Sequence, residues 1–334
     1  MTKAPLLSVT DLRVALQTAR GVVEAVRGLS FTLDKGETLG IVGESGCGKS
    51  LTALALMGLL PDGAMASGEV LYDGHNLLTL NEQRLCGLRG NRLAMIFQEP
   101  MTSLNPLHCI GDQIAEPLQQ HLKLSRRRAR DRAVDLLDRV GIPNPRQRLD
   151  AYPHQMSGGQ RQRAMIAMAL ACDPDILIAD EPTTALDVTI QGQILDLIRR
   201  LVDDSGMGLV LISHDLGVIA ETVDRVLVMY AGRAVEAGPV REVFARLAHP
   251  YARGLFSAMP RIAPGQPHPR TPLPTIAGIV PDLHDLPAAC AFAERCNLAE
   301  PRCRAEFPPA VSIGPAHRAE CWRTDQTLGA RASP

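Results

Sequence analysis

Aromatic residues are scarce in this chain: Phe, Tyr and Trp make up 3% of 334 residues, with one Trp. Any core must therefore be packed from Leu, Ile, Val, Ala and Met, and the 46% apolar content is ample for that. No apolar run approaches the ~20 residues that a bilayer-spanning helix needs. The net charge of −1 leaves no surplus of either sign, which argues against nucleic acid or an acidic membrane surface as the main partner. The opening Met1-Thr-Lys-Ala-Pro5 lacks the charged-then-apolar pattern of an export signal. A cytoplasmic protein is the expectation, and there the eight cysteines are not expected to form structural disulfides.

What is present is organised as alternating strands and helices. Leu6–Thr10, Leu12–Leu16, Val22–Val26 and Leu29–Leu33 read as short strands, with a turn at Lys35-Gly36. Further strands are expected at Gly68–Gly74, Arg92–Phe97, Asp175–Ala179, Gly208–Ile212 and Arg225–Met229. Residues 105 to 172 read as a helical insert with helices over Ile110–Leu122, Ser125–Val140 and Gly159–Cys172. Another helix is expected over Ile190–Leu201. The alternation implies an α/β fold with a mainly parallel sheet. From about residue 260 Pro and Gly become dense. We therefore divide the chain into 1–260 and a C-terminal extension, 261–334, joined through Ile262–Pro267. The basic run Ser125–Arg132 reads as a solvated helix face capped by Ser125, with Ala129, Ala133, Leu136, Leu137 and Val140 as its apolar stripe.

Gly43-Glu-Ser-Gly-Cys-Gly-Lys-Ser50 follows an apolar strand and precedes an apolar helix. It matches the phosphate-loop pattern GxxxxGK[ST] at every fixed position. Gly43, Gly46 and Gly48 let the backbone curl so that N–H groups point inward at phosphate oxygens. A helix starting near Lys49 adds its positive dipole end. Lys49 would reach the β- and γ-phosphates and Ser50 would ligate Mg²⁺. Glu44, Ser45, Cys47 and Leu51 complete the expected binding segment. Asp175–Glu181 is an apolar strand ending in two carboxylates, whose side chains point to opposite faces. Asp180 is the candidate for Mg²⁺, and Glu181 for polarising an attacking water.

Met156-Ser-Gly-Gly-Gln160 supplies a second anion site at a helix start. Two such sites suggest a nucleotide clamped between subunits. Here the sequence closely resembles the ATP-binding subunit of ABC transporters, whose signature reads Leu-Ser-Gly-Gly-Gln. Met156 is a volume-conserving departure. The resemblance implies a P-loop NTPase of the ABC type, with a RecA-like parallel core, an antiparallel β subdomain and a helical subdomain. It implies that Gln98 contacts Mg²⁺ and couples to membrane subunits. Ala185-Leu-Asp187 would lie where two subunits meet, and His214 would contact the γ-phosphate. It also implies that Ser157, Gly158, Gly159 and Gln160 serve the partner's nucleotide. The family places an aromatic against adenine where this chain has Leu16.

Gln98–Pro106, Tyr152–Gln155 and His249–Leu255 narrow the resemblance to the oligopeptide/dipeptide/nickel importer branch. That implies a homologous second ATPase subunit, two membrane permeases, an extracytoplasmic substrate-binding protein and a place at the cytoplasmic face of the membrane. Dipeptides, longer peptides, nickel chelates and glutathione stay open as cargo. A soluble ABC-type ATPase acting on DNA or ribosomes is the rival, and its coiled-coil insertions, tandem ATPase domains or basic surface do not occur here. Cys290, Cys296, Cys303 and Cys321 lack the paired spacing of zinc sites. A [4Fe–4S] cluster is favoured for them over zinc or four free thiols, and the resemblance implies the same. Cys47, Cys86, Cys109 and Cys172 read as small packing residues.

Overall fold

A computed structural model describes residues 4–99, 103–184, 186–259 and 275–329. The expected linker Ile262–Pro267, Ala185, and Pro100 to Thr102 of the Gln98–Pro106 segment lie outside the described residues. The centre is a sheet of β3 (Thr38–Val42), β6 (Leu93–Ile96), β7 (Ile176–Asp180), β8 (Gly208–Ser213) and β9 (Arg225–Tyr230). These strands run parallel in the order β9-β3-β8-β7-β6. β3, β7 and β8 are buried along their whole length, as expected for parallel strands covered on both faces. Successive side chains enter opposite cores: Ile41, Ile176 and Ile178 pack on one side, Val42, Leu177 and Ala179 on the other.

The first core is closed by an antiparallel sheet of β1 (Leu7–Thr18), β2 (Gly21–Leu33), β4 (Met65–Tyr72) and β5 (His75–Asn76), ordered β2-β1-β4-β5. The four short strands expected over residues 6–33 are in fact two long ones carrying register shifts. Asp11, at φ 46°, marks one irregularity, and a side chain at Gly28 would meet Asp11 Oδ1 at 2.7 Å. Such bulges interrupt the alternation that strand reading depends on without ending the strand.

The second core is closed by helices Ile110–Leu122, Arg126–Arg139 and Gly158–Ala169. Ser125 Oγ accepts from Arg128 N at 3.5 Å as the expected cap, and Ala129, Ala133, Leu136 and Leu137 form the buried stripe. Arg126, Arg127 and Arg128 face solvent.

Sequence reading missed β10 (Arg233–Pro239), which turns back antiparallel on β9. It also missed β11 (Ala310–Ser312) and β12 (Arg318–Glu320), a short hairpin paired to β10. Residues 275–329 thus contribute strands to the main sheet. His317 Nε2 lies 2.8 Å from Glu236 Oε1, with both side chains buried. Glu236 also accepts from the backbone N–H groups of Ala248 and His249, each at 2.8 Å. Among the described residues no helix is long and apolar enough to cross a membrane.

Candidate nucleotide-binding site

The loop Gly43–Gly48 leaves the C-terminal end of β3, where ligands of open parallel sheets gather. A side chain at Gly43 would come within 2.3 Å of Met229 O, and one at Gly48 within 2.6 Å of Ala25 O. Gly48 also stands at φ 98°, so both close approach and backbone conformation require glycine there. Helix Lys49–Met57 starts from Gly48 with no side-chain cap and no acidic residue in its first turn. Its orphan N–H groups and positive dipole end therefore face the loop. Lys49 Nζ donates to the carbonyls of Gly43 (2.9 Å) and Glu44 (3.0 Å). Ser45 and Gly46 are exposed, Cys47 is buried, and Leu51 is half-buried against the first core. Burial pushes the Cys47 thiol up, keeping it protonated.

Ser50 Oγ donates to Asp180 Oδ1 at 3.1 Å. Burial raises the Asp180 carboxyl above its ordinary value, and the Ser50 hydrogen bond opposes that shift. Glu181 leaves β7 at φ 45°, an uncommon conformation for a side-chain-bearing residue, and its N–H donates to Ile212 O at 3.0 Å. Three groups converge on its carboxylate. Gln98 Nε2 donates to Oε2 at 3.1 Å, Thr184 Oγ1 donates at 3.0 Å, and His214 Nδ1 lies 3.3 Å away. Sequence reading found Gln98, Glu181 and His214 but passed over Thr184. Its only signal is a hydroxyl in the turn after the acidic pair, closed by Thr184 N to Glu181 O at 3.1 Å.

Ser157 Oγ accepts from Gln160 N at 3.3 Å, while Gln160 Oε1 accepts from Ser157 N at 3.2 Å. This reciprocal box fixes the start of helix Gly158–Ala169. Met156 is buried beneath it, and Ser157 and Gly158 are exposed. Asp187 caps helix Val188–Ser205 by accepting from Ile190 N at 3.0 Å. A Cβ on Gly159 would touch Ile190 at 3.1 Å, so the two helix starts sit side by side. Among the described residues no hydrogen bond joins Ser157–Gln160 to Gly43–Ser50. Leu16 is half-buried in β1 opposite Val23.

Cys290, Cys296, Cys303 and Cys321 line one small cavity together with His249 and Phe292. All four are free, and burial pushes the Cys290 and Cys296 thiols up and that of Cys321 to about 12. Among the described residues no group of three or more His, Cys, Asp or Glu is arranged to hold a metal ion, so the cluster expected at these cysteines has no preformed site. Cys172 is buried as expected, but Cys86 is exposed, donating to Glu82 Oε1 at 3.2 Å, and Cys109 is half-buried. Neither is the core packing residue that its type suggested.

A phosphate loop, an acidic strand end and a separate glycine-led helix start define an ATP-binding cassette. Residues 26–184 match the ABC transporter family, and residues 235–303 match the oligopeptide/dipeptide transporter C-terminal region. The chain is 52% identical to a probable peptide ABC transporter ATP-binding protein of Sinorhizobium fredii, over 97% of this chain and 96% of that one. It is 47% identical to the dipeptide transport ATP-binding protein DppD of Bacillus subtilis, over 96% and 95%. The dimeric ATP-binding cassette MJ0796, solved in a post-hydrolysis state with ADP and Pi, superposes with a TM-score of 0.64 at 26% identity, covering 70% of this chain and 99% of that one. CbiO1 of Clostridium perfringens gives 0.61 at 27% identity, covering 73% and 92%. The chain belongs to the ATP-binding subunits of ABC transporters, in the oligopeptide/dipeptide group.

Proposed function

We propose that this chain hydrolyses ATP to power import of peptides through a membrane transporter. The observation that carries this is the convergence of Gln98, Thr184 and His214 on Glu181, beside the Ser50–Asp180 pair and the phosphate loop. In this reading the loop N–H groups and Lys49 hold the triphosphate. Glu181 orients and polarises the water, and His214 and Gln98 keep Glu181 and the γ-phosphate in register. Ser50 and Asp180, with Gln98, would hold Mg²⁺, which offsets phosphate charge when bound. The hydroxyl and carboxylate already meet at hydrogen-bond distance and suit a hard cation.

The exposed Ser157 and Gly158 support a second half-site that serves the nucleotide of a partner ATPase. Two permeases and an extracytoplasmic binding protein complete the transporter, and this subunit sits at the cytoplasmic face. Peptide cargo rests on the likeness to peptide and dipeptide transport ATP-binding proteins. The four thiols around one small cavity match the donor set of a [4Fe–4S] cluster, which we propose they bind after rearranging. Protein prepared without oxygen should then contain iron and sulfide and absorb in the visible blue. A colourless, iron-free preparation would remove the cluster.

The central test is phosphate release from ATP by the purified chain with Mg²⁺, alongside size measurement of a Glu181→Gln variant. Turnover in the parent and ATP-dependent pairing in the variant are expected. A parent that never releases phosphate, alone or with its partners, would overturn the assignment.

A further inference from the structure

We propose that Arg295, far along the chain in the C-terminal segment, is a positioning residue for the phosphate loop. This inference rests on the nucleotide reading above. Arg295 Nη1 and Nη2 donate to Glu44 Oε2 and Oε1 at 2.7 and 3.0 Å, a two-pronged ion pair. Glu44 is the second residue of the loop. The Arg295 side chain is only 5% exposed. Its Nε donates to Ala277 O at 3.0 Å, and its carbon lies 5.8 Å from the ring centres of both Tyr230 and Phe292. The fork is therefore held by the fold and aimed at one carboxylate. The Glu44 hydrogen bonds hold the Arg295 guanidinium in its charged form.

Glu44 is gripped at two further points. Its N–H donates to the buried Tyr251 hydroxyl at 2.8 Å, and its carbonyl accepts from Lys49 Nζ at 3.0 Å. Arg295 thus reaches the phosphate-binding lysine through one residue. Two consequences follow. The ion pair fixes the first turn of a loop whose N–H groups must already point inward when a phosphate arrives. It also neutralises a carboxylate that would otherwise stand at the mouth of a site built for a polyanion.

The test measures the Kd of a fluorescent ATP analogue, together with KM and kcat for ATP, in the full chain. Hydrogen bonds between charged groups of this kind make a loss of about tenfold in Kd and KM the expectation for Arg295→Ala, with kcat within about twofold. Arg295→Lys keeps the charge without the fork and should fall between. Because Glu44→Gln removes the stranded charge, the double variant Arg295→Ala/Glu44→Gln should bind more tightly than Arg295→Ala alone. A purely structural role would give no such recovery. Should Arg295→Ala fail to fold, Arg295→Lys and Glu44→Gln carry the measurement. A parent that binds and turns over ATP while the Arg295 variants keep its Kd and KM sinks the positioning role alone. A parent that binds no nucleotide sinks both readings.

Discussion

The nucleotide core and the C-terminal segment are built on opposite principles. In the core, five- and six-residue strands are buried along their whole length and hold one another through apolar contact and a continuous ladder. In residues 275–329 the strands span three residues each and helix Pro301–Ala305 five. Elements this short are not stable alone. They are fastened to the core by the short β12–β10 pairing, by Phe292 packed against Tyr230 and Tyr251, and by individual polar links: His317 to Glu236, Arg295 to Glu44, and Arg233 to Glu320 at 3.3 Å. The core specifies its own shape, whereas the segment borrows its shape from the surface it grips. The attachment points fall on the sheet edge and the phosphate loop, so the borrowed part touches the part that binds.

That contrast is open to attack at several strengths. The largest effect belongs to the core. Glu181→Gln should slow ATP hydrolysis on the order of 10²–10³-fold while leaving analogue binding intact. Parental phosphate release from this variant would show that the converging contacts serve structure and not turnover. Next comes the segment's anchor. Glu236→Ala strands two backbone N–H groups and an imidazole in the interior, for a loss of about 2–3 kcal/mol in urea unfolding. A change within noise would mean that the segment is held elsewhere. Thr184→Val keeps volume but deletes one hydrogen bond to Glu181, so kcat should fall roughly fivefold with the melting temperature little changed. The smallest effect is a gain. Leu16→Tyr offers a ring to adenine and should tighten ATP by about twofold to tenfold over its unmodified parent. An unchanged Kd would place adenine away from β1.

How much could be read from the residues follows the same divide. Helix Ile110–Leu122 matches its expected bounds, and β8 and β9 each run only one residue further, because long apolar patterns overdetermine their structure. Lys49, Asp180, Glu181 and His214 stood out as candidates because each ends or follows such a strand, where a polar residue is conspicuous. β10 was not legible: Arg233-Ala-Val-Glu-Ala-Gly-Pro239 mixes polar and small residues, and only its pairing with β9 and β12 makes it a strand. Buried Glu236 within it looks like a solvent residue until His317 arrives from 81 positions away. Arg295 was invisible for the same reason, since nothing local announces that its partner lies 251 residues earlier. Local pattern encodes elements, but it does not encode which distant charge will answer which.

The β11–β12 hairpin has a consequence for biosynthesis. Every strand of the parallel core, and β10 beside it, is translated before residue 310 leaves the ribosome. Until then β10 presents an open row of backbone donors and acceptors, the kind of rim on which strands of other chains can stack. The hairpin is thus the closing stitch of the sheet, added last and by the weakest-looking stretch. Chains cut short before Ala310 would keep every strand of the parallel core yet carry an unfinished border that invites clumping.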